Sequence, residues 1–189
     1  MEVMAIEVIH TERLLLRTWR DDDAAPFHAL DQDPRVQAFL PGPMSMAQVE
    51  RFMQLHNAMQ RETGMCYLAV EVAHSGELAG FVGLKRHQRS RHGALPFAPC
   101  TDIGWRLGAA HWGKGYATEG AAACLRHGFE ALGLDDIVSF TSPDNLRSRQ
   151  VMERLGMRRD PAGDFDHPAL PAGHRLARHV LYRLARPVD

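Results

Sequence analysis

Residues 102–117 read DIGWRLGAAHWGKGYA, and this stretch carries most of the information about the fold. The run from Thr101 to Leu107 predicts a strand, and the residues from about Tyr116 onward predict a long helix. The turn between them is rich in glycine, which lets a backbone approach a ligand closely. The first N–H groups of a helix have no partner within it, and the helix dipole adds positive potential there. The segment therefore predicts an anion site suited to a pyrophosphate.

Two other interpretations of this segment start from the same residues. The first is a tight turn whose small residues serve packing alone. The second is a nucleotide-binding P-loop, because Gly108 to Lys114 fits the pattern G-x-x-x-x-G-K. The next residue is Gly115, however, so the hydroxyl that would bind magnesium is missing. Asp102 and Trp105 are also unusual in a fully buried parallel strand, which counts further against the P-loop.

Strands and helices are predicted on both sides of this segment. Apolar patterns predict further strands at 13–20, 67–72, 78–84, 137–141, 157–159 and 179–184. Helices are predicted at about 24–31, 45–61, 116–132 and 145–155, with a basic loop at 85–93 and a Pro/Gly/His-rich excursion at 161–174. The aspartates at 21–23 are expected to cap the first helix. Helices within a strand-rich chain indicate an α/β fold with a mixed sheet and helices on its faces.

Composition and charge limit the classes of protein to which the chain can belong. Its 189 residues are expected to form one domain, residues 1–189, and 45% hydrophobic with 24% charged residues suits a globular domain. A net charge of −1 argues against nucleic acid or an anionic membrane as the main partner. The first residues lack a signal-peptide pattern, and no stretch approaches the ~18 apolar residues of a membrane span. We therefore expect a cytoplasmic protein.

The cysteines and histidines give no sign of a metal site. Cys66, Cys100 and Cys124 are odd in number and widely spaced, so we interpret them as small apolar groups in a reducing cytosol. The histidines at 167, 174 and 179 lack the spacing of zinc ligands, and no metal cofactor is expected. The basic run at 85–92, KRHQRSRH, is typical of a solvated loop, with a substrate-facing role as the alternative.

Two further motifs accompany the glycine-containing turn. Residues 11–17 read TERLLLR, and residues 142–148 read SPDNLRS, followed by LGM at 155–157. In this order, the three motifs resemble the GNAT acetyltransferase superfamily, and most closely its ribosomal-protein N-acetyltransferase type, over nearly the whole chain. The one departure is Trp112, where the general loop pattern has Gln or Arg, and the ribosomal-protein type tolerates Trp there. The resemblance implies a central mixed, mostly antiparallel sheet that is splayed between two central strands.

The resemblance implies an acyltransferase with acetyl-CoA as its co-substrate. The coenzyme would enter the gap between strands 101–107 and 137–141, where unpaired backbone groups need partners. Its pantetheine would pair with the freed edge of Arg106 and Leu107, and a main-chain N–H there would stabilise the oxyanion. Asn145 would also bond the pantetheine, and Arg154 would meet the nucleotide phosphates or remain a solvated surface arginine. The diphosphate would lie against Trp112, Gly113, Lys114, Gly115, Tyr116, Ala117 and Thr118.

The resemblance also implies the catalytic groups. An amine acceptor must lose a proton before it attacks, because an alkylammonium has a pKa of ~10.4. Asp102 is the preferred general base, since histone-type members have a Glu at the matching strand position, and His111 and Glu71 are lesser candidates. Ser148 is the preferred group to protonate the departing CoA thiolate. The alternatives are a structural role for Asp102 and helix capping for Asn145 and Ser148.

The acceptor and the assembly stay open at this stage. A protein N-terminus, a small amine, an amino acid or an aminoglycoside would each be compatible with the motifs. The regions 34–61 and 161–174 are expected to set the specificity, and the protein is expected to be a monomer or a homodimer. A coenzyme A sensor that has the same fold but no catalytic activity is the alternative function.

Overall fold

The architecture comes from a computed structural model, which describes residues 7–90 and 93–187. Arg91 and His92 of the basic run therefore lie outside the described residues. The strands are β1 (Glu7–His10), β2 (Leu14–Arg17), β3 (Tyr67–Val72), β4 (Leu78–His87), β5 (Cys100–Leu107), β6 (Asp136–Thr141), β7 (Arg158–Arg159), β8 (Phe165–Asp166) and β9 (Arg178–Ala185). The helices are α1 (Ala24–Asp31), α2 (Pro34–Gln37), α3 (Met46–Thr63), α4 (Tyr116–Glu130) and α5 (Leu146–Arg154).

The strands form a mixed sheet that is mostly antiparallel, as predicted. Their order is β1-β2-β3-β4-β5-β6-β9-β7, and β8 pairs with β9 outside this path. Within the described ranges, β5 and β6 are the one parallel pair, and the remaining neighbours run antiparallel. The helix α4 makes the long crossover between β5 and β6 that a parallel pair requires.

Each face of the sheet buries its own set of apolar side chains. Alternation along β3 sends Leu68 and Val70 to one face and Ala69 to the other. The first face packs against α4, whose buried side includes Ala121, Leu125 and Phe129, as its helical spacing predicts. The second face packs against α1 and α3 through an aromatic cluster of Trp19, Phe27, Phe52, Tyr67 and Phe81. Helices therefore cover both faces, which confirms the fold class.

The sheet opens between β5 and β6, its two central strands. Their register pairs Asp102 with Val138, and the hydroxyl of Ser139 donates a hydrogen bond of 2.9 Å to the carbonyl of Ile103. Beyond this point, residues 104–107 of β5 and 139–141 of β6 line a cavity instead of pairing with each other. The predicted splay is therefore present, and it begins directly after Ile103.

Several element boundaries differ from the predictions. The basic run does not start a loop at Lys85, because β4 continues to His87 and pairs along its length with β5. The first motif strand ends at Arg17, whose buried guanidinium binds the carboxylate of Asp23 at 2.7 Å and 2.9 Å. That carboxylate was expected to cap α1, but no side-chain cap is present there. The strand β1 was not predicted.

Candidate active site

The turn before α4 leaves the start of the helix open. Gly113 and Gly115 have φ angles of +73° and +80°, which side chains rarely adopt, so glycine is required at both positions. Gly115 is the N-cap residue, and it has no side chain that could accept a hydrogen bond from the first N–H groups of α4. Residues 113–115 are exposed, Tyr116 is buried, and Ala117 and Thr118 are half-buried. The local geometry fits the predicted anion site.

Arg13 supports this turn through hydrogen bonds, a role that the sequence pattern did not predict. Its guanidinium donates to the carbonyl of Lys114 at 2.9 Å and to the carboxylate of Glu119 at 2.7 Å. The hydroxyl of Thr11 donates to the same carboxylate at 2.6 Å. Burial raises the pKa of Glu119, but the hydrogen bonds from Thr11 and Arg13 outweigh it and lower the pKa overall. The motif at residues 11–17 is therefore in direct contact with the glycine-containing turn before α4.

The cavity in the sheet has a volume of about 740 Å³ and begins beside this turn. Its walls come from β5, β6, the start of α5 and the residues of α2 and the following loop. The predicted residues that reach it are Asp102, Arg106, Leu107, Trp112, Ala117, Asn145 and Ser148. Aromatic rings of Phe39, Tyr67, Phe81 and Phe140 also line it. The structure thus brings the motifs at 102–117 and 142–148 together around one opening, and the motif at 11–17 contacts the turn beside it through Arg13.

Trp112 fills the corner between the turn and the cavity. Its indole N–H donates to the carbonyl of Leu107 at 2.9 Å. The guanidinium of Arg147 lies over the indole ring, with its central carbon 3.9 Å from the ring centroid. This arrangement explains how Trp can stand where the general pattern has Gln or Arg. It also gives the Leu107 carbonyl a partner, so the predicted pairing with pantetheine would fall on the other backbone groups of this edge.

Asp102 lies on the cavity wall with two polar neighbours. The hydroxyl of Tyr67 donates to its Oδ2 at 2.8 Å, and Nε2 of His87 lies 3.3 Å from its Oδ1. The side chain of Asp102 is only 8% exposed, so the carboxylate faces the cavity from a largely buried position. Burial and the negative charge of Asp102 raise the pKa of Tyr67 well above its usual value, which keeps this hydroxyl protonated.

Arg106 lies four residues beyond Asp102 on the same face of β5. Its guanidinium donates to Oδ1 of the fully buried Asp31 at 2.6 Å and lies over the ring of Phe81. Burial lowers the pKa of Arg106, and the carboxylate of Asp31 opposes that effect. The side chain therefore fixes α1 against the sheet, a contact that the sequence analysis did not predict.

The third motif forms the opposite wall of the cavity. Asn145 is the N-cap of α5, because its Oδ1 accepts a hydrogen bond of 3.3 Å from the backbone N–H of Ser148. Its Nδ2 donates to the hydroxyl of Thr141 at 3.0 Å, which ties the helix to the end of β6. Asn145 and Ser148 are half-buried and both line the cavity. The capping interpretation holds for Asn145, and capping leaves its second Nδ2 hydrogen uncommitted.

Apart from Gly113 to Tyr116 and Thr118 at the start of α4, three further sequence-predicted residues do not line the cavity. Glu71 binds Arg17 at 2.8 Å and Arg20 at 2.9 Å, so its carboxylate is committed to a structural ion pair. His111 lies on the turn before Trp112, and burial, followed by the charge of Lys114, lowers its pKa. Arg154 is exposed in the last turn of α5. Neither of the lesser candidates for the general base faces the opening.

The histidines of the tail pack into an aromatic cluster. The rings of His167 and His179 are 5.0 Å apart and surround Phe140 and Phe165. Burial, with smaller contributions from nearby charges, lowers the pKa of His167 to about 4. Among residues 7–90 and 93–187, no group of three His, Cys, Asp or Glu side chains is arranged to hold a metal ion. Across the same residues, no helix has the length and apolar character needed to cross a membrane.

The start of α4, the open sheet and the capped α5 all lie within a stretch that matches a known protein family. Residues 13–158, which are more than half of the chain, match the acetyltransferase (GNAT) domain family. The chain belongs to the GNAT acetyltransferase family. It is therefore an acyltransferase, and its mostly antiparallel open sheet is the GNAT fold.

Individual proteins support the assignment to the GNAT family. An acetyltransferase structure from Agrobacterium tumefaciens is 29% identical, with a TM-score of 0.74 and 96% of each chain covered. The FsC-acetyl coenzyme A-N(2)-transacetylase of Aspergillus fumigatus is 29% identical over 83% of this chain and 67% of its own length. The ribosomal L7/L12 alpha-N-protein acetyltransferase RimL, in complex with coenzyme A, matches with a TM-score of 0.77 over 97% of this chain and 100% of its own. At 17% identity, this last match concerns the fold alone.

Proposed function

We propose that this GNAT protein transfers the acetyl group of acetyl-CoA to a primary amine by direct attack in a ternary complex. The observation that carries the proposal is the gap between β5 and β6, which opens beside the uncovered start of α4 and has Asp102 on its wall. The whole described chain acts as a single acetyltransferase domain in this proposal.

The chemistry of the opening suits acetyl-CoA. The exposed glycines and uncovered N–H groups suit a diphosphate, and Arg13 and Lys114 add positive charge beside them. The freed edge of β5 offers backbone partners for the pantetheine amides. The coenzyme supplies an activated thioester there. The residues proposed to hold it are Arg106, Leu107, Trp112, Gly113, Lys114, Gly115, Tyr116, Ala117, Thr118 and Asn145. Arg154, which is exposed and does not line the cavity, is proposed to meet the nucleotide phosphates outside it.

Asp102 is the proposed general base. Its carboxylate takes a proton from the ammonium group of the acceptor, whose nitrogen then attacks the thioester carbon. A carbon–nitrogen bond forms and the carbon–sulfur bond breaks, and the extra proton on the new amide nitrogen restores the hydroxyl of Ser148 after that hydroxyl has protonated the thiolate. The hydroxyl of Tyr67 donates to Oδ2 and cannot itself take the proton, so it orients the carboxylate toward the cavity.

Ser148 is the proposed donor of a proton to the departing thiolate. It reaches the cavity from the first turn of α5, and its backbone N–H is anchored by Asn145. A thiol leaves readily, since a group like cysteine has a pKa of ~8.5. We therefore expect Ser148→Ala to reduce kcat by only about tenfold to a thousandfold, measured as the rate of thiol release.

The acceptor is a primary amine, on a protein N-terminus or a small molecule. The same cavity that contains Asp102 is lined by the rings of Phe39, Tyr67, Phe81 and Phe140 and by the side chain of Val36. An amine attached to an apolar body would bury that body there while its nitrogen reaches the carboxylate. A cytoplasmic location and a monomeric or homodimeric state complete the proposal.

The decisive experiment combines binding and turnover. Calorimetry with coenzyme A tests the cofactor site, and a panel of peptides and small amines with acetyl-CoA tests transfer through thiol release. Asp102→Asn should reduce kcat by about a hundredfold or more with unchanged affinity for coenzyme A, because only the proton acceptor is lost. Asp136→Asn, an exposed carboxylate on the neighbouring strand, is the matched control. Coenzyme A binding without acetylation of any amine would indicate a sensor instead.

A further inference from the structure

The proposed base Asp102 has a buried carboxylate oxygen that faces a buried ring nitrogen of His87. Nε2 of His87 and Oδ1 of Asp102 lie 3.3 Å apart, which is close enough for an ion pair. The alignment is not that of a hydrogen bond, and within the described residues both atoms are shielded from solvent without a hydrogen-bond partner. Buried polar atoms usually have a partner, so this pair requires a physical explanation.

The register of the sheet produces this contact. Lys85 on β4 pairs with Asp102 on β5, and His87 pairs with Cys100 two positions along. Side chains two residues apart share a face of the sheet, so His87 lies diagonally across from Asp102. This face also carries the cavity wall. The contact is therefore built into the continuation of β4 through the basic run.

Charged and titratable groups from every neighbouring element surround the pair. Tyr67 on β3 holds the other carboxylate oxygen, and the ammonium of Lys85 lies 5.8 Å from the centroid of the Tyr67 ring. Arg106 on β5 is paired with Asp31 of α1, and the Cys100 thiol has a pKa raised to about 11, first by burial. From the other side come His167, beyond β8, and His179 of β9, whose rings pack around Phe140.

We propose that His87 is the proton outlet of Asp102, a role that rests on the proposed acetyl transfer. When the acceptor is bound and the two side chains align, the proton taken from the acceptor moves from Oδ1 of Asp102 to Nε2 of His87, so one O–H bond breaks and one N–H bond forms. The imidazolium then gives its Nδ1 proton to water, and the proton left on Nε2 returns to Nδ1 by exchange with water, which restores the starting tautomer. Asp102 is left as a carboxylate for the next acceptor. His87 is 21% exposed and Asp102 8%, so the imidazole is the more open of the two to solvent.

The other neighbours cannot do this work. The raised pKa of Tyr67 keeps its hydroxyl protonated, and a neutral phenol does not bind a second proton. Lys85, when charged, has three donors and no acceptor. His167 has a pKa of about 4, chiefly because of burial, so it does not take a proton near neutral pH. Nδ1 of His179 lies 3.1 Å from the carbonyl of Ala177, so this nitrogen is engaged outside the pair.

The test is chemical rescue. His87→Ala should reduce kcat about tenfold or more at low buffer concentration, and added imidazole should restore most of it in a saturable way. The Kd for coenzyme A should not change. His167→Ala removes an imidazole from the same aromatic cluster and should show no response to imidazole. A His87→Ala enzyme with full turnover in dilute buffer, or a loss that imidazole does not restore, would overturn the proposal.

A second measurement covers variants that fold poorly and an enzyme without a known acceptor. The nitrogen NMR signals of the His87 ring are compared at one fixed pH between the otherwise unaltered protein and Asp102→Asn. Because Nε2 lies 3.3 Å from Oδ1, its signal should shift when the carboxylate is lost. Unchanged His87 signals would contradict the coupling. If no amine is acetylated, the proposed function fails, while the coupling between the two residues is still decided by these signals.

Discussion

Among single residues, Arg13 makes the contacts that matter most for the turn before α4. It joins the first strand motif to the carbonyl of Lys114 and to Glu119, and its guanidinium lies 5.0 Å from the centroid of the Tyr116 ring. A residue that far back in the sequence would not be chosen as a coenzyme residue from spacing alone. Its contacts hold the loop in shape and place its guanidinium beside the proposed diphosphate site.

Arg13→Gln should therefore weaken binding more than chemistry. We expect the KM for acetyl-CoA to rise about threefold to tenfold with kcat nearly unchanged, because the loop loses a support and a nearby charge. Steady-state kinetics with varied acetyl-CoA measures this. Arg178→Gln, which removes an exposed arginine paired with Asp166 at 3.5 Å, is the control and should leave KM as it is. A fall in kcat with constant KM would contradict the interpretation.

At the scale of an element, α4 has a left-handed glycine at each end. Gly115 precedes it with a φ of +80°, and Gly133 follows it with a φ of +66°. An added methyl group at position 115 would lie 3.4 Å from Nη2 of Arg13, whereas one at position 133 would lie 3.8 Å from Nη2 of Arg186. The two positions thus share their backbone conformation but differ in what lies beside them.

Gly115→Ala and Gly133→Ala make a matched pair of variants. Each should lower the free energy of unfolding by about 1–2 kcal/mol, because both place a side chain in the left-handed region. Only Gly115→Ala should also raise the KM for acetyl-CoA, since only this turn lies at the proposed diphosphate site. Thermal or urea unfolding and kinetics separate the two effects. Equal KM values in the two variants would remove the turn from coenzyme binding.

The elements also show how far sequence reasoning reaches. The strand, turn and helix around residues 102–117 were predicted well, because glycine conformation and helix spacing are local properties. The continuation of β4 through Lys85 and His87 was missed, since a run of basic residues is typical of solvent. In the structure these residues alternate across the sheet, with Arg86 exposed between the two. The partners of Asp102 are Tyr67 on β3 and His87 on β4, and the spacing of residues along the chain does not predict contacts between strands.

At the scale of the whole molecule, His56 makes stability depend on pH. It is 2% exposed, its ring stacks near those of Phe52 and Tyr67, and its Nδ1 accepts the backbone N–H of Tyr67 at 3.1 Å. Burial, and then the charge of Lys85, lowers its pKa to about 4 from 6.5. Between these values the unfolded chain binds a proton that the folded protein does not. Stability is therefore lost as the pH falls from about 6.5 toward 4.

The expected loss from this residue is on the order of 3 kcal/mol across that interval. His56→Gln replaces the imidazole with a group that can still accept a hydrogen bond but does not titrate. Its free energy of unfolding should fall less steeply than that of the unaltered protein between pH 6.5 and 4. Urea unfolding at several pH values measures the difference. Parallel curves for the two proteins would show that His56 binds protons equally in the folded and the unfolded state, which would contradict the lowered pKa.

The interrupted pairing of β5 and β6 sets stability against activity. Further hydrogen bonds between residues 104–107 and 139–141 would satisfy backbone groups and strengthen the sheet, yet each would occupy the edge that is proposed to bind the coenzyme. Under the proposed function, a sheet that is fully paired at this point would be more stable but inactive. Substitutions intended to raise thermal stability should therefore be placed in the outer strands and not between β5 and β6.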